Sequence, residues 1–273
     1  MKAGLLQFTS TDDPTSNLTA TRAMMRDAAG QGAEFILTPE VTNCVSVSRR
    51  WQQSVLCLEA NDPTLAGLRA EAAALGVWLS IGSLALKTDD PDGRFANRSF
   101  VINPAGDIVA RYDKIHMFDV EVSEKETYRE SAGYRPGAWA VTAQTPFGQL
   151  GLSICYDLRF AYLFRALAQA GADILLVPSA FSPVTGAAHW QPLLQPARLK
   201  RVVMCWPLPK LVITVGAKLT GIAWRFRHGA RFCWMRVRQN LLVSLILTRM
   251  QCQMRANASR PCRMTAHLKA HNV

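Results

Sequence analysis

A carboxylate, an amine and a thiol, each placed directly after an apolar run, are the residues in this chain with the means to do covalent chemistry. Cys155 follows Leu150-Gly151-Leu152-Ser153-Ile154, a strand pattern, and a helical pattern begins a few residues later at Ala161. A side chain at the carboxyl end of such a strand stands at the mouth of an α/β layer, beside free helix N–H groups, where a thiolate is favoured. Glu40 follows the short apolar run Phe35-Ile36-Leu37-Thr38-Pro39, and Lys114 follows Ile108–Asp113. Strand ends on one edge of a sheet converge, so the three groups can share a pocket.

Together they suit attack on an amide. Glu40 can take the thiol proton and later hand it to the leaving amine, while Cys155 forms a covalent acyl intermediate. Lys114 supplies fixed positive charge and, with the backbone N–H of Tyr156, can hold the developing oxyanion. Each residue also has an ordinary reading on its own: a buried cysteine as a small hydrophobe, a solvated loop glutamate, a solvated lysine. His116, two residues beyond Lys114, belongs to a residue type that more often packs or hydrogen-bonds than catalyses.

The elements that must position these groups follow from periodicity and punctuation. Lys2–Phe8 reads as a strand, 18–30 as a helix with Leu18, Met25 and Ala28 sharing a face with Thr21, and Pro63–Leu75 as a second helix started by Pro63 and stopped by Gly76. Val77–Ser83 is a strand, and Asn97–Asn103 with Ile108–Lys114 forms a hairpin around Pro104-Ala105-Gly106-Asp107. Met117–Pro136, which contains Glu130, reads as one long irregular and charged loop. Ala138–Thr142, Gly148–Ile154 and Asp173–Pro178 are further strands, with helices over 161–170 and from about Ala187. Strands alternating with helices and hairpins imply a layered α/β fold.

Three segments carry a family resemblance. Leu37-Thr38-Pro39-Glu40, Tyr112-Asp113-Lys114-Ile115-His116 and Cys155-Tyr156-Asp157-Leu158-Arg159-Phe160 resemble, in order and spacing, the signatures of the nitrilase or carbon–nitrogen hydrolase superfamily. The resemblance implies a four-layer αββα sandwich, a cofactor-free Glu-Lys-Cys mechanism without metal, a small amide substrate and a homodimer. It also implies that Glu130, in Tyr128-Arg129-Glu130-Ser131, is a second active-site glutamate that positions the lysine. Within the superfamily the chain resembles the Nit branch, nearer its deaminated glutathione amidases than its nitrile-cleaving enzymes, with ω-amidases or other small-amide hydrolases as the next reading. His189 and Trp190 are candidate pocket residues. Phe160-Ala161 departs from the Phe-Pro common in relatives, which bears on the helix start.

Past residue 195 the composition changes. Of 31 Lys and Arg and 20 Asp and Glu, residues 196–273 hold 15 basic residues and no acidic one, so the net charge of +11 sits in this tail and residues 1–195 are slightly acidic at −4. The family pattern also stops there. Since Trp and Met have single codons, Met204-Cys205-Trp206-Pro207 must read Val-Leu-Ala in the shifted frame, and Cys233-Trp234-Met235 must read Leu-Asp. With synonymous choices the shift spells family-like segments, Arg-Ala-Ile-Glu-Thr-Gly and Tyr-Gly-His-Ser among them. The expectation is a hydrolase domain over 1–195 followed by out-of-frame translation, with the last strands lost, an unpaired sheet edge, and a chain poorly folded and nearly inactive.

Basic residues mixed with Trp224, Phe226, Phe232 and Trp234 admit a rival reading as a single-stranded nucleic-acid surface, which the frameshift reading displaces. Seven cysteines without a CxxC pair argue against a disulfide framework and a zinc ribbon. The first residues lack a signal peptide's apolar run and no stretch nears about 18 apolar residues, so the expectation is a cytoplasmic protein without a membrane span.

Overall fold

A computed structural model of the 273-residue chain describes residues 1–123 and 126–180 and the backbone of three later strands, 211–216, 241–246 and 268–272. Strands β1 (Lys2–Leu6), β2 (Phe35–Leu37) and β3 (Trp78–Leu86) run parallel at the centre of a seven-stranded sheet. Between them lie helices α1 (Pro14–Gly30), α2 (Arg49–Val55) and α3 (Pro63–Leu75). Antiparallel β4 (Ala96–Ile102) and β5 (Ile108–Asp113) complete one side of the sheet. The pair β6 (Asp119–Ser123) and β7 (Glu126–Arg129) forms a separate hairpin.

A second sheet is built from β8 (Thr142–Thr145), β9 (Gly148–Leu152) and β10 (Ile174–Ser179), with helix α4 (Ala161–Gln169) connecting the parallel pair β9 and β10. Beyond β10 come β11 (Leu211–Gly216), β12 (Leu241–Ile246) and β13 (Leu268–Asn272). The strand orders are β13-β12-β1-β2-β3-β4-β5 and β11-β10-β9-β8.

Alternation along the strands separates two cores. Leu6, Ile36, Leu79 and Ile81 face helices α1 and α3, where Met25, Ala28, Leu65 and Leu68 meet them. Leu5, Phe35, Leu37 and Val101 turn the other way and pack with Leu150, Leu152, Ile174 and Leu176 of the second sheet. On that sheet's outer face Leu167 of α4 lies against Leu175 at the position of Gly151. The layers are therefore helix, sheet, sheet, helix, the αββα sandwich that the resemblance implies.

Several boundaries differ from the expectation, each for a physical reason. Helix α1 starts at Pro14, because Asp13 caps it by accepting from Thr15 N at 3.0 Å, and its buried stripe holds the polar pair Asn17 and Thr21 beside Met25 and Ala28. The segment 117–136, expected to be irregular, contains the β6–β7 hairpin and a 3-10 turn over Glu130–Ala132. Asp119-Val120-Glu121-Val122-Ser123 alternates polar and apolar residues, a strand signal that a reading of the segment as one charged loop passes over. Residues 138–141 are not a strand; β8 begins at Thr142. Ala161 in place of Pro leaves α4 intact and starting at that residue. The helix expected from about Ala187 lies outside the described residues.

The expectation of open sheet edges is corrected. β12 pairs antiparallel with β1, from Lys2↔Ile246 to Leu6↔Leu242, and β11 pairs parallel with β10, from Ile174↔Leu211 to Ser179↔Gly216. Backbone ladders do not read side-chain identity, so a β-branched or leucine-rich run such as Leu211–Gly216 or Leu241–Ile246 can satisfy a neighbouring strand's N–H and C=O groups whatever frame it was written in.

Candidate active site

Glu40 sits in a tight turn after β2, and a bulge in β3 between Ile81 and Leu84 holds that turn. Gly82 N donates to Thr38 Oγ1 at 3.0 Å, Ser83 N to Pro39 O at 3.2 Å, Thr42 N to Ser83 O at 2.8 Å, and Val41 N to Ser83 Oγ at 2.8 Å. A Cβ at position 82 would lie 2.1 Å from Thr38 O and 2.4 Å from Pro39 O, so only glycine lets the two segments approach. Val41 takes a φ of 45°, a strained value for a β-branched residue, which the surrounding bonds enforce.

Lys114 lies just past β5. Its backbone N–H donates to Asn97 O at 2.9 Å, and its own carbonyl accepts from Gly137 N at 2.8 Å, so the residue is held from both sides. Cys155 opens a 3-10 turn, Cys155–Arg159, at the carboxyl end of β9, with a φ of 48°. Asp157 anchors this turn. It is fully buried and accepts from Ile154 N at 2.8 Å, Tyr112 O–H at 2.6 Å and His116 N at 3.0 Å, with His116 Nδ1 at 2.6 Å. The strained turn at Cys155 is thereby tied to the segment that carries Lys114.

The side chains meet in one buried cluster. Lys114, 2% exposed, places Nζ 2.9 Å from Glu40 Oε1 and 2.9 Å from both carboxylate oxygens of Glu130. Glu40 is 4% exposed; its Oε1 also accepts from Asn97 Nδ2 at 3.0 Å and its Oε2 from Ala180 N at 2.8 Å. Cys155 is buried, and the Glu40 carboxylate, the Lys114 charge and the Ala180 backbone all act on its thiol. Glu130, in the 3-10 turn after β7, accepts from Phe118 N at 2.6 Å and more distantly from Asn97 Nδ2 at 3.4 Å.

Two shifts follow from this packing. Burial would drain the Lys114 ammonium of its proton, but the charges of Glu130 and Glu40 outweigh it and hold the group well above the ordinary lysine range. Burial and the neighbouring Glu40 charge push the Cys155 thiol well up, against the opposing pull of Lys114 and the Ala180 N–H. Cys155 therefore rests as a neutral thiol beside Glu40, an arrangement in which proton transfer can accompany attack by the sulfur.

Glu40, Lys114, Glu130 and Cys155 are thus brought together. The Tyr156 ring faces away into an aromatic group, edge-on to Phe118 at 5.1 Å and Phe160 at 5.6 Å, while its backbone follows the nucleophile directly. His116 hydrogen-bonds and stacks on Phe160 at 3.6 Å. His189, Trp190 and the aromatic residues of the basic tail lie outside the described residues. Sequence reasoning missed Asn97, Asp157 and the Ala180 N–H. A polar residue at a buried strand position marks Asn97, whereas a backbone donor such as Ala180 leaves no trace in residue type. Among the described residues no three His, Cys, Asp or Glu side chains converge as metal ligands would.

Comparison with known proteins completes the site's context. A family model described as carbon-nitrogen hydrolase matches residues 2–201. The deaminated glutathione amidase of Yersinia enterocolitica is 38% identical over 197 residues, covering 70% of this chain and 66% of that protein. The human omega-amidase NIT2 is 34% identical over 197 residues, covering 72% and 69%. The chain thus spans about two-thirds of these relatives, and 58% of a matching hydrolase, C26A3.11, from Schizosaccharomyces pombe. In fold it is similar to the NitN amidase of Nesterenkonia sp. AN1, with a TM-score of 0.71 at 22% identity over 91% of this chain and 93% of that one. Saccharomyces cerevisiae Nit3 gives 0.69 at 23%, over 89% and 88%.

Proposed function

Because the chain belongs to the carbon–nitrogen hydrolase family, we propose that it is an amide hydrolase that works through Cys155, Glu40 and Lys114. The observation that carries the reading is the Glu40 carboxylate, held by Lys114 Nζ at 2.9 Å and Ala180 N at 2.8 Å, with its charge acting on the buried Cys155 thiol. Glu40 takes the thiol proton as sulfur attacks the amide carbon. The oxyanion so formed is stabilised by the Lys114 charge and the Tyr156 N–H. As the carbon–nitrogen bond breaks, Glu40 returns the proton to nitrogen and the amine or ammonia leaves. Water, deprotonated by Glu40, then adds to the thioester, and the acid departs as the thiol re-forms. Glu130 holds the ammonium in place, and His189 and Trp190 are proposed to line the substrate pocket.

The substrate class is a small linear amide, nearer to deaminated glutathione than to a nitrile, with ω-amides as the second choice, in line with the names of the relatives. The reading takes a cytoplasmic enzyme that needs no cofactor and has no nucleic-acid partner. Among the described residues no helix is long and apolar enough to cross a membrane. Residues 196–273 are proposed to be out-of-frame translation appended to a hydrolase domain over 1–195, in keeping with the absence of acidic residues there.

Ammonia release from deaminated glutathione and from a linear ω-amide, measured for the chain and for Cys155→Ala, tests the reaction. Removing the nucleophile is expected to cost turnover at least about 10³-fold and to abolish the acyl adduct seen by mass spectrometry in the parent. A Cys155→Ala variant that keeps its turnover sinks the proposal.

A further inference from the structure

Among the described residues, Asn97 is the one side chain other than Lys114 that donates to both glutamates of the cluster. It lies in β4 at 2% exposure, and its carbonyl accepts from Lys114 N at 2.9 Å, which sets the two residues side by side across the β4–β5 ladder. Its Nδ2 reaches Glu40 Oε1 at 3.0 Å and Glu130 Oε1 at 3.4 Å, and its buried Oδ1 meets no donor among the described residues.

That pattern differs from how this chain uses asparagine to build structure. Asn43 donates to Ala85 O and accepts from Ala85 N, standing in for a strand partner. Asn17 likewise uses both ends, accepting from Thr11 N and donating to Thr11 O and Asn43 O. Asn97 spends only its N–H groups, and only on carboxylates. Two carboxylates beside one ammonium carry an excess negative charge, and a buried amide N–H aimed at both orients them without adding a charge that would compete with Lys114.

We infer that Asn97 is a positioning residue for the hydrolytic reaction proposed above: it fixes the angle at which the Glu40 carboxylate faces the thiol whose proton it accepts. The inference rests on the amide-hydrolase reading for its role in turnover, and on geometry alone for its role in activating Cys155.

Two variants of near-equal volume test it. Asn97→Leu removes the donor, and Asn97→Asp replaces it with a third carboxylate beside the other two. Losing a donor to the charged form, or gaining a like charge, disfavours ionisation, so both variants move the acid limb of the pH profile of kcat/KM upward, Asn97→Asp by about one pH unit or more. Turnover at neutral pH falls about 10²-fold. The rate of Cys155 alkylation by iodoacetamide, in which sulfur displaces iodide and the thiol proton passes to Glu40, is measured across the same range and shows the same upward shift. Unchanged acid midpoints in both variants overturn the inference, as does loss of the cooperative melt in both, which marks a folding role. If the parent protein releases ammonia from no amide but the alkylation midpoints shift as stated, the inference about Asn97 stands and the amide-hydrolase reading falls.

Discussion

At Lys114 burial and charge pull in opposite directions, and the residue is useful only because charge wins. Glu130 is the larger of the two charges that keep its proton on, ahead of Glu40. Glu130→Gln keeps an acceptor for Phe118 N and Lys114 Nζ but removes the negative charge, so the ammonium is left to the desolvation that lowers its pKa. The sign follows: Lys114 loses its proton at lower pH than in the parent, and the basic limb of kcat/KM moves downward. Turnover at neutral pH is expected to drop about 10²-fold with little change in melting temperature. A pH–rate profile of the variant checks this; a basic limb that stays in place would show that Glu130 does not govern the lysine. Glu40, Lys114 and Cys155 were legible in the sequence because each is a reactive type placed directly after an apolar run. Asp157 was not singled out, since four groups from two segments, Tyr112–His116 and its own turn, converge on it and no local pattern encodes that convergence.

The elements divide by whether their signals are local. Helix α3 coincides with its expected span because Asp62 caps it, Pro63 starts it and Gly76, at a φ of 64°, ends it. Helix α2 escaped notice since only Gln52 among its residues is buried, so it has no apolar stripe. The α3 cap also carries a pH dependence. Burial pushes the Asp62 carboxyl up to about 6 from an ordinary 3.8, while the N–H groups of Leu65 and Thr64 pull it down. A carboxyl whose pKa is raised on folding binds its proton more tightly in the native state. Its contribution is intact below the unfolded value and is lost as pH climbs from 3.8 toward 6. Asp62→Asn keeps a good cap and removes the ionisation, so the variant is expected to be more stable than the parent at neutral pH, by up to about 3 kcal/mol, and no more stable in acid. Thermal melts of both proteins from about pH 3 to pH 8 decide it; a gap that does not widen with pH counts against the argument.

For the molecule as a whole, the question is how a sandwich holds together when its final strands come from a tail with no acidic residue. β1 and β10 each need a neighbour, and β12 and β11 supply it through backbone pairing. Pairing meets the hydrogen-bond demand; if the tail is out-of-frame translation as proposed, frame-restored segments would add side chains selected to pack at those positions. The two contributions separate in a three-way comparison. A chain stopped after residue 210 leaves one edge of β1 and one edge of β10 without a neighbour and is expected to aggregate on size-exclusion chromatography. The full chain, with its edges covered, is expected to stay more soluble than the truncation, yet to melt lower and turn over amides at least about 10-fold more slowly than a frame-restored chain, since small displacements of catalytic groups cost about that much or more. Equal activity of the full and frame-restored chains would mean that the substituted strands position Ala180 and its bond to Glu40 as well as the family's own, and the out-of-frame reading would then carry no functional cost.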